Sequence, residues 1–117
     1  MREATFDKDG YPTEETLQEI RDWPHTDFKG LIEFVGEAWR YPEYWRVMDY
    51  ADLSVEASTG GWSGNESLIS ALYDNVMFWA MCWMSSKRGG HYVFKIPTSR
   101  RSDENSMQDR IAQMDVL

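Results

Sequence analysis

The sequence predicts a small α+β domain: two N-terminal helices, a small three-stranded antiparallel sheet and one long buried helix. Three patterns carry that expectation. Apolar residues recur at helical spacing between Leu17 and Trp39, strict alternation runs from Asp52 to Ser58, and one strongly apolar stretch lies between two glycine-rich joints.

The elements follow in order. Residues 1–11 form a polar lead-in. Thr13 is a helix N-cap, with Glu14 and Glu15 where the helix dipole favours negative charge. Leu17, Ile20 and Trp23 share a face until Pro24 stops the helix. Asp27 caps a second helix, in which Phe28, Leu31, Ile32, Val35 and Trp39 form the core-facing stripe and Lys29, Glu33 and Glu37 take the wet side. Tyr44–Tyr50 and Asp52–Ser58 read as a hairpin, with Leu53, Val55 and Ala57 on its buried face. The joint Thr59–Asn65 leads into a helix from about Glu66 to Ser85, capped by Ser63 or Asn65, with Leu68, Ile69, Leu72, Val76, Trp79, Ala80 and Trp83 inward. Gly89 ends that helix as its C′ residue, and His91–Ile96 is the third strand. With the third strand beside the first, the order is 2-1-3. Residues 1–97 make one domain, and 98–117 are a polar linker followed by a segment with Met107, Ile111 and Met114 on one helical face.

Bulk composition narrows the function. A chain of 117 residues with 42% hydrophobic content and six Trp holds one core. The formal net charge is −8, and all of it falls in the first 59 residues. That excess is a solvated acidic surface or a face for a basic partner, and it disfavours direct nucleic-acid binding, which needs positive charge against phosphates. Cys82 is the only cysteine, so no intrachain disulfide forms. The N-terminus has no apolar signal core, and the longest uninterrupted apolar run, Val76–Met84, is far short of a membrane span of about 20 residues. The expectation is a cytoplasmic protein, in a bacterial or infected host cell, with no cofactor and no metal site. His25 and His91, far apart, are the only histidines.

The joint S-T-G-G-W-S-G-N-E admits three readings. Gly60, Gly61, Ser63, Gly64 and Asn65 can form an anion- or ligand-binding nest. Trp62 can anchor a partner. Otherwise the segment is a tight turn with Trp62 folded over the core. The Lys-Ser/Thr ending of a P-loop is missing, and the pattern G-x-S-x-G of a nucleophile elbow fails at Asn65. The second joint places Lys87, Arg88 and His91 together as further partner contacts, in a basic patch with Lys95, Arg100 and Arg101. His91 is expected to be structural, because a helix of about 20 residues spans about 30 Å and separates it from Ser63 and Asn65. The run V-M-F-W-A-M-C-W-M is core, a ligand pocket or a dimer surface.

Ser58–Glu66, Phe78-Trp79, Cys82-Trp83 and Ser86–Ile96 together resemble a group of small uncharacterised proteins encoded by bacteriophages and bacterial genomes. The resemblance implies a phage or prophage setting and carries no chemistry. No complete catalytic set is visible. The expectation is therefore a non-enzymatic acidic accessory protein that binds a protein partner, of a host-takeover or defence-blocking type, with a homodimer as a further option. The alternative is a small-ligand or anion-binding domain, or an enzyme, built on the GGWSGN and GGH joints.

Overall fold

The structure, a computed structural model, describes residues 3–49 and 52–97. Among these, the chain forms four α-helices and one four-stranded antiparallel sheet. The C-terminal segment with Met107, Ile111 and Met114 and the basic residues Arg100 and Arg101 lie outside the described residues, as do residues 50 and 51.

The first half follows the sequence pattern closely. Helix α1 spans Glu14–Arg21, and the Thr13 hydroxyl caps it by accepting from the Thr16 amide. Helix α2 spans Phe28–Ala38, with the Asp27 carboxylate accepting from the Gly30 amide at 3.1 Å. Both caps satisfy amides that the first helical turn leaves without an intrahelical partner. Pro42 opens a single 3-10 turn, Pro42–Tyr44. Strands β1 (Trp45–Asp49) and β2 (Leu53–Ser58) then pair antiparallel, with Trp45 opposite Ala57 and Asp49 opposite Leu53.

The second half departs from the expectation at one residue. The long helix is broken at Asn75 into α3 (Ser63–Asp74) and α4 (Val76–Cys82). Asn75 is buried and uses its whole side chain. Its Oδ1 accepts from the Phe78 amide at 3.1 Å, and its Nδ2 donates to the carbonyls of Ile20 (2.9 Å) and Trp23 (3.2 Å). It therefore ends one helix, caps the next and ties both to the end of α1. A short polar side chain that competes for backbone groups is suited to such a break.

The chain then enters a strand that the sequence reading assigned to the helix end: β3, Trp83–Lys87. Arg88, Gly89 and Gly90 form a hairpin turn into β4 (His91–Ile96), with φ of +88° and +81° at the two glycines. Gly89 is thus a turn residue and not a helix C′ residue. The sheet order is β1-β2-β4-β3, which corrects both the three-strand count and the 2-1-3 order. β4 pairs with β2, Leu53 opposite Ile96 and Ser58 opposite His91, because β3 takes the outer edge.

One sheet face is covered by helices and carries Leu53, Val55, Ala57, Phe94 and Ile96. The other carries Glu56, Ser58, Lys87, His91 and Lys95 and stays open. The core joins residues of every helix to the covered face: Ile20, Leu31, Val35, Leu68, Leu72 and Phe78 against Val55 and Phe94. Within α4 the buried pair is Phe78 and Cys82, one turn apart. Val76 and Ala80, placed inward by the sequence pattern, are exposed, and Trp79 is half-buried.

Candidate functional site

The shortened helix and the added strand bring the two glycine joints together, where a straight helix would have held them apart. The Thr59 amide donates to the Gly90 carbonyl at 3.0 Å. Gly90 lies so close to the Thr59 side chain that a Cβ would collide with it. Ser58 Oγ and His91 Nδ1 are 2.7 Å apart. His91 therefore meets a serine, but it is Ser58 on β2 and not Ser63, whose Oγ donates to the Tyr11 hydroxyl at 3.2 Å.

Several of the proposed nest residues are engaged by their neighbours. Gly60 and Gly61 have φ of +64° and +76°, as a tight turn requires. The Gly61 amide donates to Thr59 Oγ1 and the Trp62 amide to the Thr59 carbonyl, so these donors point inward. Trp62, not Ser63 or Asn65, stands at the N-cap position of α3, without a side-chain cap bond. Asn65 is fully buried and fully engaged. It accepts from the Arg40 amide at 2.9 Å and donates to the carbonyls of Arg40 (3.0 Å) and Thr59 (3.2 Å), fastening the end of α2 to the joint. Gly64 sits under the Trp62 ring, where any Cβ would clash. Trp62 in turn is held between the Arg40 guanidinium, 4.7 Å from its ring centroid, and Tyr11, at 5.0 Å. These residues are structural in their contacts, and Trp62 is only partly exposed.

Lys87 and His91 are register partners on the open sheet face. With Glu56, Ser58, Ser85 and Val93 they line a shallow depression of about 360 Å³. Arg88 is exposed in the hairpin turn beside it. The same face carries ion pairs from Arg46 to Glu56 (3.4 Å) and from Lys95 to Asp52 (3.1 Å), both solvent-exposed. Among the described residues no carboxylate is hydrogen-bonded to His91, so the Ser58–His91 contact stands there without the orienting group of a catalytic triad. Cys82 is no nucleophile either, since burial pushes its thiol up to about 12. Among the described residues no group of three His, Cys, Asp or Glu could hold a metal ion, and no helix is long and apolar enough to cross a membrane.

The surface that sequence reasoning left undecided is built by α4 and β3. Val76, Met77, Met81, Trp83 and Met84 are all exposed, Val76 at 73% and Met84 at 55%. β3 is an edge strand, with a bulge between Trp83 and Ser85. The extra residue places Trp83 and Ser86 on the same, helix-covered side, and Trp83 Nε1 donates to Ser86 Oγ at 2.7 Å. Trp83 stacks at 15° on Trp79, which meets Tyr73, Tyr92 and Phe94 edge-on. The signal for this surface was the V-M-F-W-A-M-C-W-M run itself, once Asn75 is read as a cap instead of a helix interior.

No family model, curated protein or solved structure matches this chain.

Proposed function

We propose that this protein is a non-enzymatic accessory protein that acts by binding a protein partner through α4 and the β3 edge. The observation that carries the reading is the run of exposed large apolar side chains Val76, Met77, Met81, Trp83 and Met84 on adjacent elements. Contiguous apolar surface of this kind on a small domain marks an interaction site, and Met and Trp are adaptable, energetically strong contact residues. Charge narrows the partner. Residues 76–97 contain no carboxylate but include Lys87, Arg88 and Lys95. Arg88, exposed in the turn that follows β3, suits the surface to an apolar segment that carries acidic residues. The resemblance of the glycine joints to small phage and bacterial proteins supports a phage-encoded role of host-takeover or defence-blocking type.

The test is site-specific photo-crosslinking in a host lysate from Met84, with Glu33 on the wet face of α2 as control. Capture of one partner from position 84 alone, lost in the Met81→Asp, Met84→Asp double variant, supports the reading. Capture of a second copy of this chain identifies the surface as a dimer interface. Equal capture from both positions, or from neither, overturns it.

The second reading, a small-ligand or anion site, has one favourable observation: the glycine joints and the Ser58–His91 pair lie side by side, with Lys87 opposite His91. It predicts that phosphate shifts the amide resonances of Gly60, Gly61 and His91. The inward-turned donors of the joint weigh against it.

A further inference from the structure

The break at Asn75 opens a cleft that no continuous helix would have left. α3 ends at Asp74, α4 departs in a new direction, and the covered side of the β3–β4 hairpin is left partly bare between them. The resulting cleft, of about 580 Å³, is lined by Ser70, Tyr73 and Asp74 of α3, Trp79 of α4, Ser86 of β3 and Tyr92 of β4. Its walls are aromatic and meet at steep angles. Tyr73 stands at 73° to Trp79 with centroids 5.1 Å apart, and Tyr92 at 69° with centroids 6.3 Å apart. A ring corner of this kind presents π-electron density from more than one direction to a group seated in it.

The rim carries a net negative charge. Asp74 is paired only loosely, 3.6 Å from Arg21 Nε, and Arg21 is held more closely by Glu14 at 2.7 Å. The trio of two carboxylates and one guanidinium keeps one net negative charge. Asp74 ends α3 and Val76 begins α4, so the opposite partial charges of the two helix ends meet at Asn75 and leave the Asp74 carboxylate as the charge at the rim. Aromatic faces with a carboxylate beside them favour a desolvated organic cation over a neutral or anionic guest.

We propose that this cleft binds an organic cation, an alkylated ammonium or guanidinium group, over the rings of Tyr73, Trp79 and Tyr92. The site adjoins Trp83 through its stack on Trp79 but uses none of Val76, Met77, Met81 or Met84, and it does not depend on the partner-binding reading. The cation can come from a free small molecule or from a side chain of another protein.

The full chain is titrated with tetramethylammonium chloride and, in parallel, with neopentyl alcohol, a neutral molecule of similar shape, while the ligand methyl protons are followed by NMR. Tetramethylammonium is expected to saturate with a Kd of about 1 mM or lower and to shift upfield under the ring currents, with the neutral analogue at least about tenfold weaker. Tyr73→Ala, at an exposed position, is expected to weaken the cation about fivefold or more, and Asp74→Asn about threefold. Equal binding of the neutral analogue would reduce the cleft to an apolar hollow and overturn the proposal, as would absence of binding or an unaffected Tyr73→Ala variant. Choline and a trimethyl-lysine peptide serve as further arms. Tighter choline binding identifies a free cation, and tighter peptide binding identifies a side chain; either supports the chemistry. The Met81→Asp, Met84→Asp variant retains cation binding, which keeps this result distinct from the partner test.

Discussion

Helices α2 and α4 bury similar side chains and treat their outer surfaces in opposite ways. α2 buries Phe28, Leu31, Ile32, Phe34, Val35 and Ala38, and exposes Lys29, Glu33 and Glu37. α4 buries Phe78 and Cys82, and exposes Val76, Met77, Ala80 and Met81. Both satisfy the core with one stripe. Only α2 finishes the opposite side with charge. The outer side of α4 is therefore not explained by folding alone, and the comparison separates residues that hold the fold from residues available to a partner.

The largest effect is expected where α4 meets the core. Phe78 is fully buried and packs edge-on against Phe28 at 5.3 Å and at a tilt of 52° against Phe94 at 5.2 Å. Phe78→Ala should cost about 3–5 kcal/mol in chemical denaturation, as a large cavity in a close-packed core does. A loss below about 1 kcal/mol would mean that α4 is not anchored in the core at all, and the contrast with α2 would collapse.

The next effect tests the joint that makes α4 a separate helix. Asn75→Ala removes a cap and leaves the Phe78 amide and the Ile20 and Trp23 carbonyls without that partner. A loss of about 1–3 kcal/mol is expected, from the lost cap and the lost buried hydrogen bonds, since the Ile20 carbonyl keeps the Trp23 amide at 3.3 Å. Asn75→Asp keeps the acceptor for Phe78 but puts a carboxylate against two carbonyls, so it should be no more stable than the alanine variant. If Asn75→Asp were as stable as the parent, the two carbonyl contacts would contribute nothing.

How much of this was legible follows from the same residues. Thr13 and Asp27 were readable because each cap stands directly before a periodic apolar stripe. β2 was readable because Leu53, Val55 and Ala57 alternate with Ser54, Glu56 and Ser58. Asn75 gave the same kind of signal, but it sits between two apolar segments that join smoothly at helical spacing, and periodicity outweighed the cap. β3 was hidden for two reasons. No Gly or Pro separates it from α4, and the bulge at Met84 breaks the alternation that would have marked it. Once β3 was missed, the order 2-1-3 followed, and so did the false 30 Å separation of the glycine joints. The site residues named from those joints were legible as a turn. Their contacts with Tyr11, Arg40 and Ser58 depend on distant segments and were not.

A smaller effect comes from the second buried residue of α4. Cys82 is wholly enclosed, and its thiol is raised from 9.0 to about 12 by burial alone. The folded state then favours the protonated thiol, so the unfolded state loses its proton first as pH rises. This contribution is fully present below pH 9 and declines between pH 9 and 12, by roughly 1 kcal/mol per pH unit. The measurement is the difference in pH slope between the parent and Cys82→Ala, since tyrosines and lysines titrate in both. Identical slopes above pH 9 would place Cys82 in contact with water, against the burial that distinguishes the inner from the outer side of α4.

The smallest expected effect on stability is the most informative about function. Met81 lies one residue before Cys82 and turns the other way, into solvent. Met81→Glu should change the unfolding free energy by no more than about 0.5 kcal/mol, like a surface substitution far from any special contact. It should even raise solubility, because it gives α4 the charged outer side that α2 already has. The helix dipole opposes the change slightly, since a carboxylate is placed near a C-terminus. The same substitution should abolish crosslinking from Met84, because a charge buried without a counterion in an apolar interface is costly. Loss of stability comparable to that of Phe78→Ala would show that Met81 is part of the core and that the two helices are finished alike. Unchanged stability with unchanged crosslinking would leave the exposed methionines without a role in binding. Unchanged stability with lost crosslinking is the outcome that the contrast between α2 and α4 requires, because only then is the outer side of α4 dispensable to the fold and necessary to the partner.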